Sequence, residues 1–335
     1  MNMELFSKIG VIGAGAFGTA LAIAIHQQGR NIVLWAHKPA AAMAMKERRE
    51  NVERLPGAAI PGAIDVTSNQ ERLSDCDLVL YVGPAQQFAQ SFRDWDAILA
   101  SDTPMVISAK GIDQASGELL TTIAVNHAPN RPVAILSGPS FAKDIAAGLP
   151  TALTLACVDG ALGEKICLSI GSRTLRPYWS EDIIGTQVGG ALKNVIAIAC
   201  GIVHGKGLGE SARTALMTRG LAELARLTAA LGGDPKTLMG LSGIGDLSLS
   251  CNSLQSRNMS FGNELGQGKT VQDILNSRSA VTEGVMTTKA VHELAQKLGL
   301  EMPITAAVYA VVHDNKPLED TIDLLLARPY KKETQ

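Results

Sequence analysis

The sequence predicts an α/β domain over residues 1–182 followed by an all-helical domain over residues 183–335, and three observations carry that expectation. Short apolar runs of the kind that build strands buried on both faces recur through the first half. The first of these runs straight into Gly13-Ala14-Gly15-Ala16-Phe17-Gly18. From Ile183 onward strand-like runs disappear, and apolar residues recur three and four apart instead.

Taken in order, Ile9 to Ile12 is a strand that must turn sharply at Gly13 and begin a helix within six residues. Gly13 permits the tight turn, Gly15 lets backbone approach a pyrophosphate, and Gly18 lets helix and strand pack closely, with the phosphates at the helix N-terminus by Ala16. The G-x-G-x-x-G spacing alone fits any tight strand–helix turn. Its context makes it the turn of a Rossmann-type dinucleotide-binding domain, because a second strand, Asn31 to Trp35, follows the Gln27-Gln28-Gly29 stop. After that strand stand Ala36, His37 and Lys38, where NAD-selecting folds place a carboxylate for the ribose 2′-OH. Such a pair tolerates a 2′-phosphate, so NADPH is favoured over NADH as cofactor; the alternative is two solvated loop residues.

Asp77 to Val82 is the next strand, closed by Gly83-Pro84. Met105 to Ser108 delivers Ala109-Lys110-Gly111 at a strand's C-terminal end, where open α/β sheets gather ligands, although Lys110 also reads as an ordinary surface lysine. Val133 to Leu136 ends in the small-residue loop Ser137-Gly138-Pro139-Ser140-Phe141-Ala142 on the same edge. Ala152 to Ala156 and Thr174 to Tyr178 are expected to form a hairpin-like extension, with the domain ending near Ser180-Glu181-Asp182.

In the helical half, Met217, Leu221, Leu224, Thr228 and Leu231 mark one amphipathic helix ended by Gly232-Gly233. Val291, Leu294, Ala295 and Leu298 mark another, and Leu318, Ile322, Leu325 and Leu326 a third. These stripes read as core. Two stretches do not. In Gly189-Gly190-Ala191-Leu192-Lys193 a lysine sits inside an apolar helix, where desolvation lowers its pKa toward neutrality and suits it to proton transfer, unless it reaches solvent at the helix edge. The paired glycines imply close approach by a nicotinamide ring or by the other domain. The second stretch carries Asp246, able to orient a lysine or simply to begin a helix, and Ser256-Arg257-Asn258, a local anion clamp whose guanidinium fork suits phosphate.

Composition narrows the partners. A net charge of −2 with 46% hydrophobic residues gives no basic field for nucleic acid, so an anion site has to be local. Five widely spaced cysteines and six scattered histidines indicate neither a disulfide framework nor a metal, and a reducing cytoplasm fits best. Lys8 before an apolar stretch mimics a signal peptide, but the glycines and the continuing strand argue against one. The longest other apolar run, Val195 to Val203, falls short of the roughly 20 residues that span a bilayer.

These motifs, in order, give the chain its resemblance to a known family. GAGAFGTALA, the SAKG around Lys110, SGPSFAKD, GGALKNVIAI, GIGDL, QSRN and the TEG at Thr282 to Gly284 resemble the bacterial NAD(P)-dependent glycerol-3-phosphate dehydrogenases across nearly the whole chain. The resemblance implies Lys193 as proton donor and acceptor, with Asp246 beside it in the catalytic set. It implies substrate contacts at Lys110, Gly138, Ser140, Lys193, Asp246, Ser256, Arg257 and Asn258. Cofactor contacts are implied at Phe17, His37, Lys110, Ala142, Arg257, Val281 and Glu283, beside the turn itself. It further implies a helical domain like that of 6-phosphogluconate dehydrogenase, a cytoplasmic homodimer, and reduction of dihydroxyacetone phosphate to sn-glycerol 3-phosphate for phospholipid synthesis. The chain departs from the family pattern at His204, Lys206, Ser211, Met259 and Ser260. Rival readings are a dehydrogenase of another phosphorylated or carboxylated hydroxy compound, and a noncatalytic NAD(P)H sensor.

Overall fold

The computed structural model describes residues 4–278, 282–330 and 332. Among the described residues the first half supplies ten strands, β1 (Lys8–Ile12), β2 (Asn31–Trp35), β3 (Glu50–Asn51), β4 (Leu55–Ala59), β5 (Asp65–Thr67), β6 (Leu78–Tyr81), β7 (Met105–Ile107), β8 (Val133–Ser137), β9 (Thr151–Ala156) and β10 (Leu175–Ser180). Eight of them form one sheet in the order β10-β9-β8-β7-β6-β1-β2-β5, while β3 and β4 make a separate antiparallel pair. From β5 through β8 every neighbour is parallel, and the order reverses between β1 and β6. That reversal leaves a crevice above the strand ends carrying Gly13 and Val82, where ligands of open α/β sheets bind.

Helices cover both faces of the sheet. On one side lie α1 (Ala16–His26), α2 (Pro39–Arg48), α5 (Ala142–Ala146) and α6 (Gly160–Ile170), whose Leu21, Ile25, Met45, Ile145 and Ile166 join a single apolar cluster with Ile9, Leu34 and Leu80. On the other lie α3 (Phe88–Asp96) and α4 (Leu120–His127), with Phe88, Phe92 and Trp95 fully buried against Val79 and Tyr81. Strands covered on both sides need apolar residues at every position, which is why DLVLYV shows no alternation.

The expectation of a hairpin at the far edge is corrected. β9 and β10 run parallel, in register from Leu175 opposite Thr151 to Ser180 opposite Ala156, and α6 crosses between them. The reversal occurs one strand earlier, where β9 pairs antiparallel with β8. The 3.6-residue pattern of Ile166 and Ile170 in the connection, both buried, distinguishes a crossover helix from a hairpin loop.

The second half is helical: α7 (Ile183–Gly205), α8 (Glu210–Ala230), α9 (Asp246–Cys251), α10 (Arg257–Gly266), α11 (Val271–Asn276), α12 (Glu283–Lys297), α13 (Pro303–Val312) and α14 (Leu318–Leu326). The run Val195 to Val203 belongs to α7, a helix of 23 residues that is long and apolar enough to cross a membrane. In this fold 89% of its most apolar window is buried, and it forms the axis of the helical core. α7 and α10 meet backbone to backbone: a Cβ at Gly201 would collide with the Met259 carbonyl, and one at Gly262 with the Ile198 carbonyl. This crossing sets the α10 N-terminus beside the middle of α7.

Buried Glu223, on α8, caps α13 from outside by accepting from the Ile304 amide at 2.6 Å, the Thr305 amide at 3.1 Å and the Thr305 hydroxyl at 2.7 Å. Burial pushes its carboxyl pKa up against those donors. Glu223→Gln keeps the size but sets an amide NH₂ against donors, and a loss of about 2 kcal/mol in urea-unfolding free energy is expected. An unchanged midpoint would mean that the cap contributes nothing.

Candidate active site

The glycine turn does geometrically what its spacing suggests. Gly13 has φ +113°, and Gly18 packs so closely that a Cβ there would collide with the Gly13 carbonyl oxygen. Gly15 precedes the first turn of α1 without any side-chain cap, and a Cβ at Gly15 would meet nothing within 4 Å. The first amides of α1 have no helical carbonyl to bond, and the space left open at Gly15 gives them a cradle that fits a pyrophosphate. Substitution separates the two glycines. Gly18→Ala is expected to destabilise the fold, whereas Gly15→Ala should leave the unfolding midpoint within about 0.5 kcal/mol and raise KM for the dinucleotide about tenfold or more.

Sequence reading missed the support under this turn. Buried Asn51, on β3, donates to the Ala14 carbonyl at 3.0 Å and to the Thr19 hydroxyl at 2.8 Å, holding the loop from beneath. The two-residue strand carrying it is too short to leave a periodic signal. His37 and Lys38 lie exposed after β2, with the His37 ring edge-on to Trp35 at 5.8 Å. Ala142 opens α5, which packs directly against α1.

Across the crevice the helical half presents charge. Lys193, 7% exposed on α7, donates to Asp246 and, at 2.8 Å, to the Ser250 hydroxyl. The other oxygen of Asp246 accepts from Lys110 at 2.6 Å, and Lys110 also donates to the Gly138 carbonyl at 3.3 Å. One buried carboxylate thus joins a lysine at the end of β7 to a lysine on α7, and the two halves meet at it. Burial pushes the Lys193 pKa down to about 8; Lys110 also lowers it, while the Asp246 charge and hydrogen bond, and Glu283, raise it. Glu283, first residue of α12, has its carboxyl pushed up by burial while Arg257, Lys110 and Lys193 pull it down. The carboxylates and ammonium groups therefore form one electrostatic unit.

Of the close approaches expected at the paired glycines, that of the other domain occurs at Gly190 alone. A Cβ at Gly189 would strike the Ser242 carbonyl of its own half, whereas one at Gly190 would come within 2.6 Å of the Ser137 hydroxyl at the end of β8. Gly190 is the position that lets the two halves touch. Ser250 lies four residues after Asp246 on one helix face, a spacing that makes it legible in retrospect.

The QSRN stretch is split by burial. Ser256 is buried as the N-cap of α10, its hydroxyl accepting from the Met259 amide at 3.4 Å. Asn258, also buried, donates to the Asn194 side-chain oxygen at 2.8 Å and accepts from the Gly284 amide at 2.9 Å, tying α10 to α7 and α12. Arg257 remains exposed. Ser140 donates to the Gly138 carbonyl at 3.2 Å. Val281 lies outside the described residues.

The departures from the family pattern are accommodated locally. Met259 is a core residue, and Ser260 accepts from Arg278 at 2.9 Å. Lys206 pairs with Glu319 at 2.5 Å, fastening the end of α7 to α14, while His204 and Ser211, the latter in the first turn of α8, are exposed.

A turn that fits a pyrophosphate on one wall, and on the other a buried lysine whose pKa burial lowers to about 8, match what hydride transfer coupled to proton transfer requires. The class they define is the two-domain nicotinamide-dependent dehydrogenases. Family models described as the N-terminus and the C-terminus of NAD-dependent glycerol-3-phosphate dehydrogenase match residues 8–162 and 182–323. The chain belongs to that family. A Rhodospirillum rubrum protein named glycerol-3-phosphate dehydrogenase [NAD(P)+] is 46% identical over 98% of this chain and 95% of its own. One of the same name from Caulobacter vibrioides is 47% identical over 98% and 99%. The crystal structure of glycerol-3-phosphate dehydrogenase from Coxiella burnetii superposes with a TM-score of 0.93 at 33% identity, covering 96% of this chain and 99% of that one.

Proposed function

We propose that the protein reduces dihydroxyacetone phosphate to sn-glycerol 3-phosphate, reversibly, at the expense of NADPH or NADH, and so supplies glycerophospholipid synthesis. The observation that carries the reading is the buried Lys193 held by Asp246 opposite the glycine turn. The bound nicotinamide supplies the hydride. Everything else falls to the chain. Lys193 as ammonium stabilises the negative charge that develops on the carbonyl oxygen and then protonates it, while Asp246 and Ser250 keep its Nζ in place. Arg257, Ser256, Asn258, Lys110, Gly138 and Ser140 form the substrate pocket, with Arg257 gripping the phosphate, and phosphate binding energy orients the ketone.

On this reading Gly13, Gly15, Ala16, Phe17, Gly18, His37, Ala142, Val281 and Glu283 contact the dinucleotide together with Lys110 and Arg257. The dinucleotide domain ends at Asp182 and the catalytic domain begins at Ile183, where the long helix starts. His37 and Lys38 favour NADPH. The protein works as a cytoplasmic homodimer without a membrane span or a nucleic-acid partner.

The test is the loss of reduced-nicotinamide absorbance when dihydroxyacetone phosphate is added, beside dihydroxyacetone, 3-oxo acids and oxidation of 6-phosphogluconate, with NADPH and NADH in parallel. Rapid turnover of the phosphorylated ketone is expected, with dihydroxyacetone at least about a hundredfold poorer in kcat/KM because the clamp has nothing to grip. Turnover of another panel member alone would sink the assignment, and a strong NADH preference would sink the role given to His37 and Lys38.

A further inference from the structure

Arg278 follows α11 and belongs to none of the groups assigned so far, yet its side chain is largely buried, with 15% exposed. It lies along one face of α10. Nη1 donates to the Arg257 carbonyl at 2.8 Å, and Nη2 donates to the Ser260 hydroxyl at 2.9 Å and to Glu264 at 2.5 Å. The plane sits over the Phe261 ring at 5.6 Å. Positions 257, 260, 261 and 264 are the i, i+3, i+4, i+7 stripe of a helix, so one side chain spans two turns of α10, beginning at the residue that carries the anion-gripping fork.

Its charge is matched by Glu264, whose carboxyl is held below the usual range by hydrogen bonds from Lys269 and Arg278. A paired cation adds little field at a phosphate; what it adds is alignment. A second tie flanks the same helix end, since Asn258 accepts from the Gly284 amide beside Glu283. The start of α10 is therefore gripped from both sides by groups preceding and opening α12.

We propose that Arg278 is a positioning residue for Arg257: it fixes the first turn of α10 so that the Arg257 side chain leaves the helix toward the substrate phosphate. The inference rests on the substrate reading above. With Arg257 undirected, phosphate binding weakens while the proton transfer at Lys193 is untouched, so the loss falls on KM.

The experiment is a double-mutant cycle of Arg257→Ala and Arg278→Ala, with Arg278→Lys and Glu264→Gln alongside, measuring kcat and KM for dihydroxyacetone phosphate and the urea midpoint. Arg278→Ala is expected to raise KM about tenfold with kcat within about twofold. In the Arg257→Ala background the same change should have no further effect, because the residue it positions is gone. Arg278→Lys, which keeps a donor but not the fork, should fall between, and Glu264→Gln should stay within about threefold of the parent. A merely structural role predicts additive losses in the cycle and kcat falling with the urea midpoint, and either result overturns the proposal. So does an unchanged KM in Arg278→Ala. Should Arg278→Ala not fold, Arg278→Lys run through the same cycle decides by the same criterion. If the parent enzyme does not turn over dihydroxyacetone phosphate, the substrate reading fails; if it does and Arg257→Ala alone raises KM, only the role of Arg278 fails.

Discussion

A Lys193→Ala enzyme is expected to reduce dihydroxyacetone phosphate with kcat lowered about a thousandfold, the middle of the range for losing a general acid, while KM changes little. On the proposed assignment, removing Lys193 removes both the proton and the cation that meets the developing alkoxide, while binding relies on Arg257 and its neighbours, which the substitution does not touch. The pH dependence follows from the pKa near 8. Reduction needs the ammonium, so its kcat/KM should be flat below and fall as pH rises through about 8. Oxidation of glycerol 3-phosphate needs the neutral amine and should rise through the same value. Near-normal kcat in Lys193→Ala, or the same pH limb in both directions, would overturn the assignment.

Asp246→Asn should have the second largest effect, and its signature is different. The carboxylate lies between two ammonium groups and is 1% exposed, so an amide of the same size leaves Lys193 and Lys110 facing each other without the charge that pairs them both. Breaking such a buried pair costs about 3 kcal/mol or more of stability, measurable by urea unfolding. Asp246 raises the Lys193 pKa, while burial and Lys110 lower it. With the raising influence gone, the alkaline limb of the reduction profile should move to lower pH, and kcat at neutral pH should fall about a hundredfold. A limb that stays in place would mean that Lys193 is not the group being titrated.

Other residues show where sequence reading succeeds and where it stops. Lys193 could be singled out because a lysine within an apolar helix breaks the pattern around it, and burial of its helix then dictates the direction of its pKa. Asp246 is expected beside Lys193 but not as a partner of Lys110; it pairs with both, from different halves of the chain. Asn51 and Arg278 make their contacts with residues 32 or 37 and 14 to 21 positions away, and no local rule marks them; Ser250 reaches a residue 57 positions away and is marked only by its spacing from Asp246. The hairpin expected at the sheet edge failed for a related reason: Thr151–Ala156 and Leu175–Ser180 are apolar enough to pair either way, and strand direction is set by the helix packed between them.

What the sequence determined by itself is what depends on neighbours along the chain: the turn at Gly13 to Gly18, the parallel strands with their uniform apolar runs, and the change of period at Ile183. Local sterics and hydrophobic periodicity are written in adjacent residues, so these could be read directly. Only the tertiary structure decided that one carboxylate binds two lysines, that Gly190 rather than Gly189 admits the other half, and that Gly201 and Gly262 bring α7 and α10 into backbone contact. Each of these depends on the distance between elements far apart in sequence. That distance is fixed by close packing of whole helices, a property of the assembled core and not of any segment within it.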